Sequence, residues 1–261
     1  MSVREDAPHR DEPNVTRPAV RGDLHARVAL VTGAGGGIGG AVSRRLAAIG
    51  YFVYLVGRSL GSLEQTAQAC ARGRARSRPA DLAADHDVEV LARDVEVERG
   101  RLDVLVHCAG TLDQGPIDAT DVAVLDEQYR VNVRAFYTLT QRLLPLLRAA
   151  EGEIVVVNSS VVVGRRGGAS PYAATKHALL SLTDTLRQEV NAGGVRVLTV
   201  FPGRTATALQ EKVFASEGQV YRPELLLQPD DVAAMIVASI QLPRTAEVTD
   251  IHLRPMRKSY R

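Results

Sequence analysis

The chain has no tryptophan, two cysteines and three methionines, and aromatic residues make up only 4% of it. Two thiols, Cys70 and Cys108, are too few for a disulfide framework or a four-thiolate zinc site. An excess of one charge is missing too. Thirty-two basic and 30 acidic residues leave a net +2, which argues against nucleic acid or an anionic lipid surface as partner. No apolar run approaches the ~18 residues of a membrane span. The first 24 residues carry Pro8, Pro13 and Pro18 among mixed charges and lack the apolar core of a secretory leader. The expected setting is a reducing cytoplasm, with no nucleic-acid, membrane or metal partner. Lysine is scarce as well: only Lys176, Lys212 and Lys258 among the 32 basic residues. A lysine in such a chain marks a place where arginine does not serve.

What remains is a composition of ordinary globular kind, 45% hydrophobic and 24% charged over 261 residues. Residues 1–25 read as a flexible arm, and residues 26–261 as one domain. Short Val/Leu/Ile runs follow at Arg27–Thr32, Phe52–Gly57, Leu102–Cys108, Ile154–Asn158, Val195–Phe201 and Val248–Leu253. Between them lie helix-period segments near 37–49, 60–72, 84–98, 121–149, 171–192 and 230–240. Runs that do not alternate belong to strands buried on both faces, and their alternation with helices predicts an α/β fold, a doubly wound parallel sheet of the Rossmann type. The rhythm places a further strand at Arg74–Ala80, although arginines crowd it. Segments 121–149 and 171–192 are apolar around much of their circumference, which suits a subunit contact.

The first run leads directly into Thr32-Gly33-Ala-Gly-Gly-Gly37-Ile38-Gly39 and then an amphipathic helix. Glycines there let the backbone approach a pyrophosphate, whose charge rests on the N–H groups at the helix start. A plain tight turn is the competing reading. The second run ends Gly57-Arg58-Ser59, with no carboxylate for a ribose 2′-hydroxyl. Arg58 offers donors suited to a 2′-phosphate, so the expected cofactor is NADP (NADPH) in preference to NAD. An ordinary solvated arginine is the alternative.

Tyr172 and Lys176 stand four residues apart in a helical pattern and share a face. A phenol titrates near pH ~10, and a cation beside it favours ionisation, which would make Tyr172 an acid/base. Ser159 lies thirteen residues before it, at the end of a buried run, where hydroxyls face the ligand crevice of open sheets. Ser160 is its neighbour and rival. Asn132 falls inside the long helical segment, an unfavourable place for asparagine unless it has a task there.

Together these motifs resemble the short-chain dehydrogenase/reductase family over roughly residues 26–255. The resemblance implies that Asn132, Ser159, Tyr172 and Lys176 form the catalytic group. It implies that Thr32, Gly33, Gly37, Ile38 and Gly39 cradle the cofactor, with Asp81 and Leu82 beside the adenine. Arg58 and Ser59 would meet the 2′-phosphate, and Ala109 and Gly110 would leave room for the cofactor backbone. Pro202 and Gly203 form the turn after the sixth strand, with Thr207 or Thr205 reaching the nicotinamide amide, and Tyr172 and Lys176 also touch the cofactor. One departure stands out: the family's Asn-Asn-Ala-Gly reads His107-Cys108-Ala109-Gly110 here.

The implied activity is hydride transfer between a nicotinamide and a carbonyl or alcohol carbon, with Tyr172 moving the proton. Ser159 would bind the carbonyl oxygen, Lys176 would depress the phenol's pKa and hold the ribose, and Asn132 would support a water path. The substrate is a small carbonyl or alcohol compound, lined by residues 112–117, 161–169 and a lid about 206–226. Arg165 and Arg166 would meet an anionic substrate or solvent. A non-catalytic NADP-binding regulator and an epimerase or dehydratase are the other classes this fold admits. A homotetramer or dimer is the assembly the resemblance implies.

Overall fold

A computed structural model describes residues 26–164 and 167–257. The expected N-terminal arm, Arg165, Arg166 and Lys258 lie outside the described residues. Seven parallel strands form one sheet in the order β3-β2-β1-β4-β5-β6-β7. They are β1 Val28–Thr32, β2 Phe52–Gly57, β3 Ala75–Pro79, β4 Val104–His107, β5 Glu153–Val157, β6 Arg196–Pro202 and β7 Asp250–Leu253.

The helices are α1 Gly37–Ala48, α2 Leu60–Gln68, α3 Asp85–Arg99, α4 Val122–Tyr129, α5 Ala135–Ala149, α6 Ser170–Val190, α7 Ala208–Ser216 and α8 Pro229–Ile240. The sheet sorts its side chains by parity, as a pleated strand must. Leu30, Tyr54, Leu105 and Ile154 face a layer with α3, α5 and α6, through Val95, Leu139 and Leu179. Val31, Leu55, Val106 and Val155 face the opposite layer with α1 and α8, through Leu46 and Ile236. Both faces are therefore dry, which explains the unbroken apolar runs.

Two sequence expectations change in detail. The segment expected as one helix over 121–149 is two helices joined by a π-helical turn, Arg130–Arg134. The helix expected to reach residue 72 stops at Gln68, and the chain turns back through Gly73 at φ 73°. The arginine-rich β3 is a strand because it is an edge: it pairs only with β2, and its side chains find partners on α3. Arg76 and Arg78 both bind Glu98, and Arg78 also meets Asp94 at 3.2 Å. Tyr54 donates its hydroxyl to Glu98 at 2.8 Å. Charge along an edge strand also blunts pairing with another sheet.

Strand order reverses between β1 and β4, and a crevice opens there at the carboxyl ends of the strands. No helix among the described residues is long and apolar enough to cross a membrane.

Candidate active site

That crevice holds a cavity of about 800 Å³. Its lining joins the glycine loop (Gly33, Gly37, Ile38, Gly39), the end of β4 (Cys108, Ala109, Gly110), and the end of β5 with Ser159 and Ser160. Tyr172 and Lys176 from α6, Pro202 at the end of β6, and Gly203, Thr205 and Thr207 beyond it complete it. Residues from distant stretches of the chain thus meet in one space.

The loop is built for close approach. Gly33 has φ 66°, and a Cβ there would stand 2.9 Å from the Ala109 nitrogen. A Cβ on Gly39 would lie 2.4 Å from the Gly33 carbonyl oxygen, so only glycine fits where α1 starts against the loop. The first turn of α1 carries no acidic side chain, leaving its N–H groups and dipole to an anion. Thr32 braces the loop from behind: its hydroxyl accepts from the Cys108 and Ala109 nitrogens at 3.0 and 3.1 Å. A dinucleotide pyrophosphate fits this cradle.

Thr32 itself does not line the cavity, and neither do Arg58, Ser59, Asp81, Leu82 and Asn132. Arg58 is exposed at the end of β2. The glycine loop reaches that corner, since a Cβ on Gly35 would lie 3.0 Å from the Ser62 Cβ in the first turn of α2. Ser59 caps α2 with its hydroxyl, 3.4 Å from the Ser62 nitrogen. Asp81 uses a carboxylate oxygen to hold the Ala83 nitrogen at 3.0 Å, and Leu82 is packed into the core.

Asn132 is 2% exposed, and its amide is spent on protein. The Nδ2 group donates to the Thr111 carbonyl at 2.9 Å and the Thr175 hydroxyl at 3.1 Å, while Oδ1 accepts from the Thr111 nitrogen at 2.9 Å. Its place in the π-helical turn aims the amide inward at the loop that follows β4. Thr175 in turn donates to the Tyr172 carbonyl at 2.8 Å, tying this brace to α6.

Of the two adjacent serines, Ser159 brings its hydroxyl to the Tyr172 phenol. Burial pushes the phenol above its ordinary pKa, and the Ser159 contact pulls it back. Lys176 Nζ, 4% exposed as a residue, donates to the Val157 carbonyl at 3.2 Å and stands 5.7 Å from the phenol ring centroid. Burial lowers the ammonium pKa to about 8, partly offset by the neighbouring Cys108. Cys108 itself is pushed up to about 12 by burial, so its thiol stays protonated and poorly nucleophilic.

His107 turns away from the cavity. Its Nε2 lies 3.0 Å from the Thr140 hydroxyl, and its ring packs edge-on to Phe136 with centroids 4.8 Å apart. Burial lowers its pKa to about 3, which keeps it neutral. Among the described residues no three His, Cys, Asp or Glu side chains gather to hold a metal.

The two threonines serve locally: Thr205 donates to the Gly203 carbonyl at 3.0 Å, and Thr207 caps α7 through the Gln210 nitrogen at 3.2 Å. Asn158, which sequence reasoning missed, donates to the Lys176 carbonyl at 3.2 Å and fixes the end of β5 against α6. An asparagine closing an otherwise apolar run was its only signal.

The profile of the family described as short chain dehydrogenase matches residues 27–218. An uncharacterized oxidoreductase of Staphylococcus aureus strain MRSA252 is 28% identical over 236 residues, covering 89% of this chain and 99% of the relative. Among solved structures, an alcohol dehydrogenase from the archaeon Thermococcus sibiricus complexed with 5-hydroxy-NADP superimposes with TM-score 0.79 at 26% identity. It covers 90% of this chain and 100% of its own. A 3-ketoacyl-(acyl-carrier-protein) reductase from Brucella melitensis complexed with NADH gives TM-score 0.77 at 25% identity, covering 88% and 97%.

Proposed function

The chain belongs to the short chain dehydrogenase family and is an oxidoreductase, and we propose that it works as an NADPH-dependent reductase of small carbonyl compounds. The observation that carries this is the meeting of the Ser159 hydroxyl, the Tyr172 phenol and the Lys176 ammonium on one cavity with the glycine cradle. A bound nicotinamide supplies the hydride that reduces a carbonyl carbon.

The chain's own residues do the rest. Ser159 donates to the carbonyl oxygen and fixes its position, and Tyr172 delivers the proton as the alkoxide forms. Lys176 carries the positive charge that stabilises a phenolate once Tyr172 has given up its proton. Asn132 acts at a distance, holding Thr111 and, through Thr175, the start of α6.

NADPH over NADH rests on Arg58, exposed beside the glycine loop with no partner among the described residues, and on the absence of a carboxylate ending β2. The segment about 206–226 acts as the substrate lid. Val122, Tyr129 and Tyr137, exposed on α4 and α5, suit a homo-oligomer contact.

The test is oxidation of NADPH and NADH against a panel of ketones, aldehydes and diketones, with Tyr172→Phe alongside. Turnover selective for NADPH and lost in the variant supports the reading. Tight NADPH binding without any turnover favours a binding protein, and conversion without net NADPH consumption favours an epimerase.

A further inference from the structure

The lid carries an ion pair withdrawn from water. Arg204, just after the Pro202-Gly203 turn, donates from Nη2 to Glu217 Oε2 at 2.8 Å, and the two side chains are only 9% and 10% exposed. The guanidinium also stacks 4.6 Å from the Phe214 ring centroid. Phe214 packs edge-on to Tyr221, centroids 5.6 Å apart, so the pair sits in an aromatic pocket under α7. The two ends of the lid are clipped together by backbone, Ala206 nitrogen to Leu227 carbonyl at 2.8 Å and Leu227 nitrogen to Arg204 carbonyl at 3.1 Å. Between those ends, Glu217 ties the lid ionically to the strand end. Arg204 nonetheless lines the cavity, along with Gln210 and Gln219 of the lid.

A planar guanidinium at a substrate cavity is ordinarily a carboxylate receptor. Here a carboxylate of the same chain takes one arm of the fork, Nη2, while Nη1 lies 3.5 Å from Gln219 Oε1. We propose that Glu217 makes Arg204 a specificity-determining residue: the internal pair pins α7 over the cavity and selects neutral carbonyl compounds over those bearing a carboxylate. The substrate class refines the reductase reading above and rests on it, while the pairing of lid and strand end stands by itself. Desolvation gives the pair its leverage, because removing the carboxylate leaves the withdrawn guanidinium short of a counter-charge.

The experiment uses the full chain loaded with NADP. Calorimetric affinities for ethyl 2-oxobutanoate and for 2-oxobutanoate are compared in the wild type and in Glu217→Gln. In parallel, tryptic cleavage after Lys212, in the middle of α7, is timed for both proteins and for the exchange variant Arg204→Glu/Glu217→Arg. The expected result is that Glu217→Gln tightens 2-oxobutanoate about tenfold, the worth of one charge-assisted hydrogen bond to Arg204, and leaves the ester unchanged. Cleavage after Lys212 should quicken several-fold in Glu217→Gln and return toward the wild-type rate in the exchange variant. Unchanged acid affinity in Glu217→Gln overturns the selectivity, and unchanged cleavage overturns the pinning. A protein that binds NADP but turns over no carbonyl overturns the reductase reading instead, without touching either of these readouts.

Discussion

Lys176 Nζ lies 5.7 Å from the centroid of the Tyr172 ring, one helical turn further along α6, and gives a hydrogen bond to the Val157 carbonyl at the end of β5. The ammonium is thus anchored to the sheet, and burial holds its pKa down to about 8. An unfolded lysine keeps its proton to about 10.4. Between those values the unfolded chain binds more protons, so stability rises with pH from about 8 upward, and below 8 the buried charge costs stability. Lys176→Met is therefore expected to raise Tm at pH 7, at about 2–4 °C per kcal/mol for a domain of this size. The gain should fade as pH rises toward 10, while turnover is lost. Thermal melts at pH 7 and pH 10 check it, and a variant that melts lower at pH 7 contradicts it.

Tyr172→Phe removes the proposed proton donor and leaves the cavity's shape. Turnover should fall about 10²–10⁴-fold, the usual worth of a positioned acid. NADPH affinity, read by fluorescence titration, should change little. Ser159→Ala should bring a comparable loss, whereas Ser160→Ala should stay near wild type, because Ser159 is the serine in contact with the phenol.

Arg58→Ala tests the 2′-phosphate assignment. A charge-assisted contact is worth about 1.5–3 kcal/mol, so NADPH affinity should weaken roughly 10–100-fold with NADH affinity unchanged. Equal weakening of both cofactors would move the role of Arg58 to general support of the β2 end.

His107, neutral between Thr140 and Phe136, makes the fold sensitive to acid. The unfolded histidine takes up a proton near pH 6.5 and the folded one only near 3. Native stability should fall as pH drops through that window, with this residue contributing up to about 1.4 kcal/mol per pH unit. Urea midpoints between pH 7 and 4.5 should decline less steeply for His107→Gln than for the wild type.

The alternation of buried runs with helical segments, the glycine loop between β1 and α1, and the Tyr172–Lys176 pair were legible in the sequence. Each is a local pattern. An apolar run reports a strand buried on both faces, glycines report backbone that must approach something, and a spacing of four reports one helix face. Distance along the chain set the limit on the rest. That Ala75–Pro79 is a strand depended on β2 beside it and on Glu98, some twenty residues on, taking the charge of Arg76 and Arg78. That Asn132 spends its amide on Thr111 and Thr175 depended on a π-helical turn, which no local period announces. The sequence likewise placed a cation near a phenol, but the direction of the phenol's pKa follows from burial and from where Nζ points. Arg204 and Glu217 read as two surface charges until α7 folds over the cavity and removes both from water. Local chemistry thus determined which elements and reactive groups this chain has. Their partners were decided by tertiary packing, since desolvation and pairing are set by residues that meet only in the folded chain.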